Sequence, residues 1–427
     1  MPSIAPRARA AAVAVALLLT GLIAFGAPMG VDYLAPPCDP YVCDDAGPSI
    51  AALAEGDLDE FFAEQPPMGS FSFAVRGPFV AAGDALGASP LTIYRLGAFA
   101  CLLGLMLLTL HVGLTMYRRG REWKVAALVP LGVLASPVTY AALEYGHPEE
   151  LLGAALVVGA VLAAARDRTV AAALLLGAAV ATKQWAVMAA LPVLLAAPRN
   201  RVRITVLSLA AFAVLTIPMM LGDWDQFWLA QHSIGVALPF DGTVTASNVW
   251  FPFADSSTGP TLTENGVEIQ TQYSLAKWLG DLTHPLVALL ALGATAAYFL
   301  RRRTAAPEEV LQLVALIFLL RCVLDPLTYS YHHAPFVAAL VAYEGLRRRV
   351  PVMSGVAIAA LLLTTHVIAP MKDAELVNAF YLGWALPMLA ALVLGVFFPA
   401  RLDALAARLT PRRVRTRTAA SQTAPLP

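Results

Sequence analysis

From Ala10 to Ala400 long apolar blocks alternate with short polar connections. Most blocks approach or exceed the roughly 17 to 25 residues that carry a helix across a hydrocarbon layer. They predict spans over 10–30, 90–117, 124–143, 150–165, 169–182, 184–197, 204–221, 284–300, 308–324, 332–346, 351–370 and 376–399. A transmembrane β-barrel would show apolar and polar residues alternating every second position, and these blocks do not. The expected fold is an all-α polytopic membrane protein of about twelve transmembrane helices, with ten to thirteen as the range.

Basic residues set the orientation, because cytoplasmic connections collect Lys and Arg. Clusters stand at Arg118–Lys124, Arg166–Arg168, Arg199–Arg203, Arg301–Arg303, Arg347–Arg349 and from Arg401 onward, while the connections between them are acidic or neutral. Both termini are then expected in the cytoplasm of a multi-pass protein of the cell membrane. The organisation that follows is a first span over 1–30, an outer loop over 31–89, helices over 90–221, a long outer loop over 222–283, helices over 284–400 and a basic tail over 401–427. One stretch needs a decision. Read as one helix, Thr169–Ala197 buries Lys183 at its middle and inverts every later basic cluster. Read as a hairpin of two short helices turning at Lys183, it keeps all clusters on one side. Each arm then rises only about 20 Å, so Lys183 is expected below the outer membrane surface, lining an outward cavity.

Composition agrees with the pattern. The chain of 427 residues is 59% hydrophobic and 14% charged, against about 25% charged in soluble domains; its mean hydropathy is +0.68. The formal net charge of +0 singles out no partner, and no nucleic acid is expected. Of the four cysteines, Cys101 and Cys322 lie in apolar runs and read as packing residues. Cys38 and Cys43 lie in the first outer loop, as a disulfide or as two thiols.

Candidate chemistry collects in the outer connections. The first loop is acidic, and Pro48–Phe62 predicts an amphipathic helix lying along the membrane, with Ile50, Leu53, Leu58, Phe61 and Phe62 on one face. Asp44 and Asp45 precede it, near the positive end of its dipole. They are either solvated loop residues or a general base for an attacking hydroxyl. In Glu144–Glu150, Glu149 and Glu150 either cap the next helix or join His147 in touching sugar hydroxyls. Lys183 and Gln184 stand at the hairpin turn. A lysine inside a membrane marks a functional site by default, although it could also snorkel to the interface. Arg321 and Asp325, four residues apart, can pair on one helix face, or Arg321 can bind phosphate with its planar fork. Tyr331 and His332 follow as further binding candidates. No metal is expected, since no ligand set has helical spacing. Trp224, Phe227, Trp228 and Trp250 in the long loop suit a carbohydrate surface or an aromatic belt equally.

Four of these features together resemble the GT-C superfamily of integral-membrane glycosyltransferases, and most closely glycosyltransferase family 87. They are the first loop from Asp44 to Pro66-Pro67, the Gly146-His147-Pro148 connection, the Ala181–Trp185 turn and the Tyr329–His333 segment. Gln65 stands where that family's pattern would place a tyrosine. The resemblance implies inverting transfer of a hexose, with mannose as the expected sugar, from a polyprenyl-phosphate sugar to a glycolipid or glycan on the outer face, without a cofactor. It implies Asp44, or else Asp45, as the base. Lys183 and Arg321 would hold the phosphate. The competing expectation is a transporter or flippase for a lipid-linked glycan, which should show duplicated halves with matching broken helices; none is visible.

Overall fold

The computed structural model describes residues 6–26, 46–65, 69–233, 242–263, 266–302, 305–347 and 351–400. Asp44, Asp45, Cys38, Cys43 and the tail from Arg401 lie outside the described residues.

The first half begins with α1 (Pro6–Gly26), then α2 (Gly47–Glu55), α3 (Leu58–Ala63) and α4 (Ser70–Ala85). The amphipathic helix expected over Pro48–Phe62 is therefore two helices. Gly56, at φ +80°, ends α2, and Asp57 restarts the helix by accepting from the Glu60 N–H at 3.0 Å. A second correction is α4, which occupies part of the segment read as loop. Next come α5 (Pro90–Arg118), α6 (Trp123–Leu134), α7 (Pro137–Glu144), α8 (Glu149–Ala164) and α9 (Thr169–Thr182). The span expected over 124–143 is interrupted at Ser136-Pro137, where Ser136 caps α7.

Lys183 is extended (φ −148°, ψ 131°) and breaks α9 from a 3₁₀ turn, Gln184–Ala189, that leads into α10 (Ala190–Ala196). The chain reverses here, because the Asn200 amide returns to within 3.4 Å of Thr169 Oγ1 at the start of α9. The half-length hairpin expected from charge parity is present.

The second half holds α11 (Arg201–Gly222), α12 (Trp224–Ser233), α13 (Lys277–Arg301), α14 (Pro307–Leu324), α15 (Ala334–Leu346), α16 (Val352–Leu363) and α17 (Ala374–Phe397). Between α12 and α13 an antiparallel hairpin pairs β1 (Asp255–Thr263) with β2 (Gly266–Ser274). The sequence reading gave neither this hairpin nor the start of α13 at Lys277.

Among the described residues, six stretches are long and apolar enough to cross a membrane: Pro90–Arg118, Trp123–Glu144, Arg201–Gly222, Lys277–Arg301, Val352–Met371 and Ala374–Phe397. The chain is thus a helical, multi-pass membrane protein, in which six stretches of the described residues have full length and further apolar helices are shorter. Several expected spans are short helices, and these form the centre. Every residue of α15 is buried, and nearly all of α8. Around them stand α11, α13, α16 and α17, whose apolar windows are only 22%, 28%, 28% and 33% buried. A helix apolar on all sides yet exposed belongs against lipid. Lipid offers no hydrophobic drive between helices, so close packing of small residues holds such a bundle together; the Ala-rich runs of α8 and α9 supply it.

The basic connections gather at one end. Arg119 donates to Glu308 at 2.9 Å and to the Leu346 carbonyl, Arg166 meets His111 at 2.8 Å, and Arg201 lies over Phe299. The opposite end is roofed by α2–α4 and the long loop. Asn248, fully buried, fixes that loop. Its amide donates to the Thr245 and Pro326 carbonyls at 2.7 and 2.8 Å, and its oxygen accepts from the Trp250 and Phe251 N–H groups at 2.9 and 3.1 Å.

Candidate functional site

The roofed end contains a connected set of ionisable side chains, each placed by a local backbone device. Helix α7 stops at Gly146, whose φ of +74° a side chain would strain. The His147 N–H closes the turn on the Ala142 carbonyl at 2.8 Å, the bond of a Schellman motif. His147 is thereby turned inward, and Pro148 starts α8 at once. Glu149 and Glu150 occupy the first turn of α8, where the helix dipole favours carboxylates. Neither caps α8 with its side chain.

Both instead face Lys183, whose ammonium lies 2.9 Å from Glu149 Oε1 and 3.6 Å from Glu150 Oε1. His147 Nδ1 is 3.1 Å from the same Glu149 oxygen. Arg76 of α4 approaches the other oxygen at 3.9 Å, with side-chain exposures of 1% and 0% for the pair. Two buried carboxylates thus meet the buried Arg76 and the largely buried Lys183, the pairing such burial requires. The Glu150 Oε2 atom has no hydrogen-bond partner among the described residues.

Trp185 connects this cluster to a second one. Its ring lies against Gly153 and edge-on to Phe318, 5.1 Å between centroids. Arg321 stacks over the same ring at 5.6 Å. Arg321 also sits 3.7 Å from Asp325, and His284 of α13 is 3.8 Å from that carboxylate. Burial pushes the Asp325 carboxyl up, but His284, Arg321 and His332 outweigh it and hold the group well below the usual carboxylate range. Arg321 Nη1 and Trp185 Nε1 are buried without a hydrogen-bond partner among the described residues. Two unmatched donors beside each other fit an anionic oxygen ligand.

Aromatic rings run from the cluster to the surface. Tyr331 is buried against the His147 ring at 4.6 Å and edge-on to His332 at 4.5 Å. Tyr329 lies almost parallel to Tyr331 (5.7 Å, 6°), and Tyr145 is 6.3 Å from Tyr329. Burial, then the charge of Glu144 and the neighbouring Tyr329, raise the Tyr145 phenol above its ordinary value. The Tyr329–His333 turn is anchored from behind by His333, 3.1 Å from the Tyr381 hydroxyl, and by Ser330, 2.7 Å from Thr365 in a π-helical turn. Gln184 points to the other side and pairs with Gln231 of α12.

The first loop docks on the Lys183 turn through backbone. The Gly69 N–H donates to the Thr182 carbonyl at 3.0 Å. Gln65, buried, donates to the Met219 and Asp223 carbonyls at 3.0 and 3.3 Å.

Of the residues singled out from sequence, His147, Glu149, Glu150 and Lys183 share one cluster, and Arg321, Asp325 and His332 share the next, with Tyr331 facing His147. Gln184 stands apart from these contacts. Tyr145 and Tyr329 lie in the two connections singled out but carried no role of their own, and Arg76 and His284 were not singled out. Of the last two, only Arg76 left a signal, as a lone cation in the apolar run Phe71–Val80.

A family model described as glycosyltransferase family 87 matches residues 66–326, more than half of the chain. No curated protein matches. Among solved structures, the chain is similar to ArnT from Cupriavidus metallidurans bound to undecaprenyl phosphate, with 19% identity, 93% of this chain and 72% of that chain covered, and a TM-score of 0.47. It is similar to the oligosaccharyltransferase of Archaeoglobus fulgidus in the apo form at 13% identity, 90% and 56% coverage, and a TM-score of 0.42. The oligosaccharyltransferase AglB of Archaeoglobus fulgidus, in complex with an inhibitory peptide and a dolichol-phosphate, gives 13% identity, 90% and 55% coverage, and 0.41. The chain spans little more than half the length of both archaeal structures.

Proposed function

Because the chain belongs to glycosyltransferase family 87, we propose that it transfers a hexose, with mannose the first to test, from a polyprenyl-phosphate sugar to a glycolipid or glycan hydroxyl. The reaction takes place on the outer face of the cell membrane, with both termini in the cytoplasm and about twelve membrane-crossing or re-entrant helices. One observation carries the donor assignment: Arg321 Nη1 and Trp185 Nε1, buried in an apolar bundle, present donors with no described partner. A lipid-phosphate headgroup supplies the oxygens they lack and enters sideways from the bilayer.

In this reading Asp44, or failing it Asp45, takes the proton from the acceptor hydroxyl as its oxygen attacks the anomeric carbon from the face opposite the phosphate. The carbon–oxygen bond to phosphate breaks, the polyprenyl phosphate leaves with the electron pair, and the configuration inverts. Arg321 neutralises the charge that develops on the leaving phosphate. Lys183, held between Glu149 and Glu150, sets the local field at the turn and touches phosphate only by giving up one carboxylate. His147, Tyr331 and His332 contact sugar hydroxyls, and Asp325 aligns the guanidinium. Gln184 joins the first-loop side of the site.

The decisive experiment is transfer of labelled mannose from polyprenyl-phosphate mannose in membranes. Asp44→Asn is expected to accumulate normally and to lose transfer by about a hundredfold or more. Equal transfer by Asp44→Asn and by Asp45→Asn would overturn the first-loop base. Arg321→Lys keeps the charge but loses the fork and the stack on Trp185. It is expected to raise the donor KM by about tenfold or more, and an unchanged donor KM would remove Arg321 from the phosphate.

A further inference from the structure

The proposed reaction leaves the acceptor's chemistry open, and the exposed edge of the site addresses it. Tyr145 and Tyr329 are 43% and 41% exposed, whereas Tyr331 beneath them is 6% exposed. The two exposed rings come from separate connections, one before α8 and one after α14. Their centroids lie 6.3 Å apart at a mutual tilt of 38°, and both rest on Tyr331, at 6.0 and 5.7 Å. Tyr331 in turn touches His147, which is bonded to Glu149. The pair is therefore a continuous extension of the buried cluster toward solvent.

We infer that Tyr145 and Tyr329 form a stacking platform for the sugar rings of an oligosaccharide acceptor, resting on the glycosyltransferase reading above. A pyranose has a face of C–H groups and a rim of hydroxyls. The negative face of an aromatic ring attracts the first, and phenol hydroxyls with the half-buried Glu144 carboxylate suit the second. Two rings at an angle suit successive sugar units. A serine side chain or a simple lipid alcohol would reach the buried cluster without covering them. An interfacial belt explains them less well, because belt rings lie on outward helix faces, as Trp224 and Trp228 do on α12 at 54% and 40% exposure. Tyr145 and Tyr329 instead stand side by side on two connections, both resting on the buried Tyr331. The phosphate-binding donors lie deeper, beside Trp185, so the platform serves the group that arrives from outside.

The test measures binding and turnover separately on the full chain in nanodiscs. Binding of an alkyl mannobioside without donor is read by saturation-transfer NMR, with an alkyl alcohol of the same chain length as control. Tyr145→Ala and Tyr329→Ala are each expected to weaken mannobioside binding about tenfold and to leave the alcohol unaffected. Tyr145→Phe and Tyr329→Phe keep the ring face and should stay within about threefold. With polyprenyl-phosphate mannose as donor, the alanine variants should raise the acceptor KM by the same factor at unchanged donor KM and kcat. Unchanged mannobioside binding in both alanine variants overturns the platform. So does transfer to a serine peptide with none to the mannobioside. Tyrosine-dependent binding in a wild-type protein that transfers nothing from any polyprenyl-phosphate hexose would instead keep the platform and overturn the donor reading.

Discussion

Glu149→Gln is expected to lose sugar transfer by about a hundredfold or more and to unfold at a markedly lower temperature. The substitution preserves shape and removes one charge, so no cavity complicates the result. Glu149 is fully buried and meets Lys183 at 2.9 Å, His147 at 3.1 Å and Arg76 at 3.9 Å. Without its charge, Arg76 and His147 lose this carboxylate and Lys183 is left with Glu150 at 3.6 Å. Removing one partner of a buried ion pair costs about 3 to 5 kcal/mol, because the other charge stays desolvated and unmatched. A displacement of about 1 Å at a reacting centre is enough for a hundredfold loss of rate, and Lys183 and His147 are both held through this carboxylate. The double variant Glu149→Gln with Arg76→Met removes one charge of each sign and leaves Lys183 beside Glu150 at 3.6 Å, which separates the two effects. It restores charge balance, so thermal stability should recover most of the loss, while transfer should not recover. A Glu149→Gln protein as stable and active as wild type would show that the cluster is not coupled.

Gly69→Ala is the second large effect. A Cβ at Gly69 would lie 1.9 Å from the Ala181 carbonyl oxygen, 2.4 Å from its carbon and 2.9 Å from the Thr182 nitrogen. All three are backbone atoms and cannot rotate away. The first loop must lift from the Lys183 turn and break the bond from the Gly69 N–H to the Thr182 carbonyl. The central helices do not depend on that contact, so insertion and accumulation should be normal while transfer falls by about a hundredfold. Gly77→Ala is the control. Its Cβ would meet only the Leu53 side chain, at 3.1 Å, and should cost activity little. If Gly69→Ala retains full transfer, docking of the first loop on the turn is not needed for the reaction.

What the sequence made legible follows from what each signal depends on. The long apolar spans depend on composition alone, and Pro90–Arg118, Arg201–Gly222 and Ala374–Phe397 stand close to where the pattern put them. The reversal at Lys183 was legible because charge distribution constrains connections on both sides of it. Helix α4 was not, because Arg76, Gly77 and Pro78 interrupt its apolar run and resemble a loop. The β1–β2 hairpin was overlooked although Val267, Ile269, Thr271 and Tyr273 alternate with Glu268, Gln270 and Gln272, the period of a strand; only β1, rich in Ser, Thr and Gly, carries no such pattern. Among the candidate residues, Glu149, Lys183 and Arg321 stood out as ionisable groups in apolar surroundings. The pairing of Arg76 with Glu149, and of Tyr145 with Tyr329, rests on contacts between distant parts of the chain that no local pattern records. Asp44 and Asp45 lie outside the described residues, so mutagenesis decides their role.

The half-length hairpin at Lys183 also bears on how the protein is made. Its arms, 14 residues in α9 and 13 in the turn and α10 together, rise only about 20 Å each, too short to be handed to lipid as independent spans. Its tip carries a lysine, which lipid alone would reject. Synthesis delivers Arg76 first, then Glu149 and Glu150, and Lys183 only afterwards. The ribosome therefore produces the carboxylates before the cation that needs them, and the hairpin enters a membrane in which its counter-charges are already waiting. A circular permutation that placed α9 and α10 ahead of α8 would keep every contact of the folded bundle and yet strand the hairpin at the translocation channel.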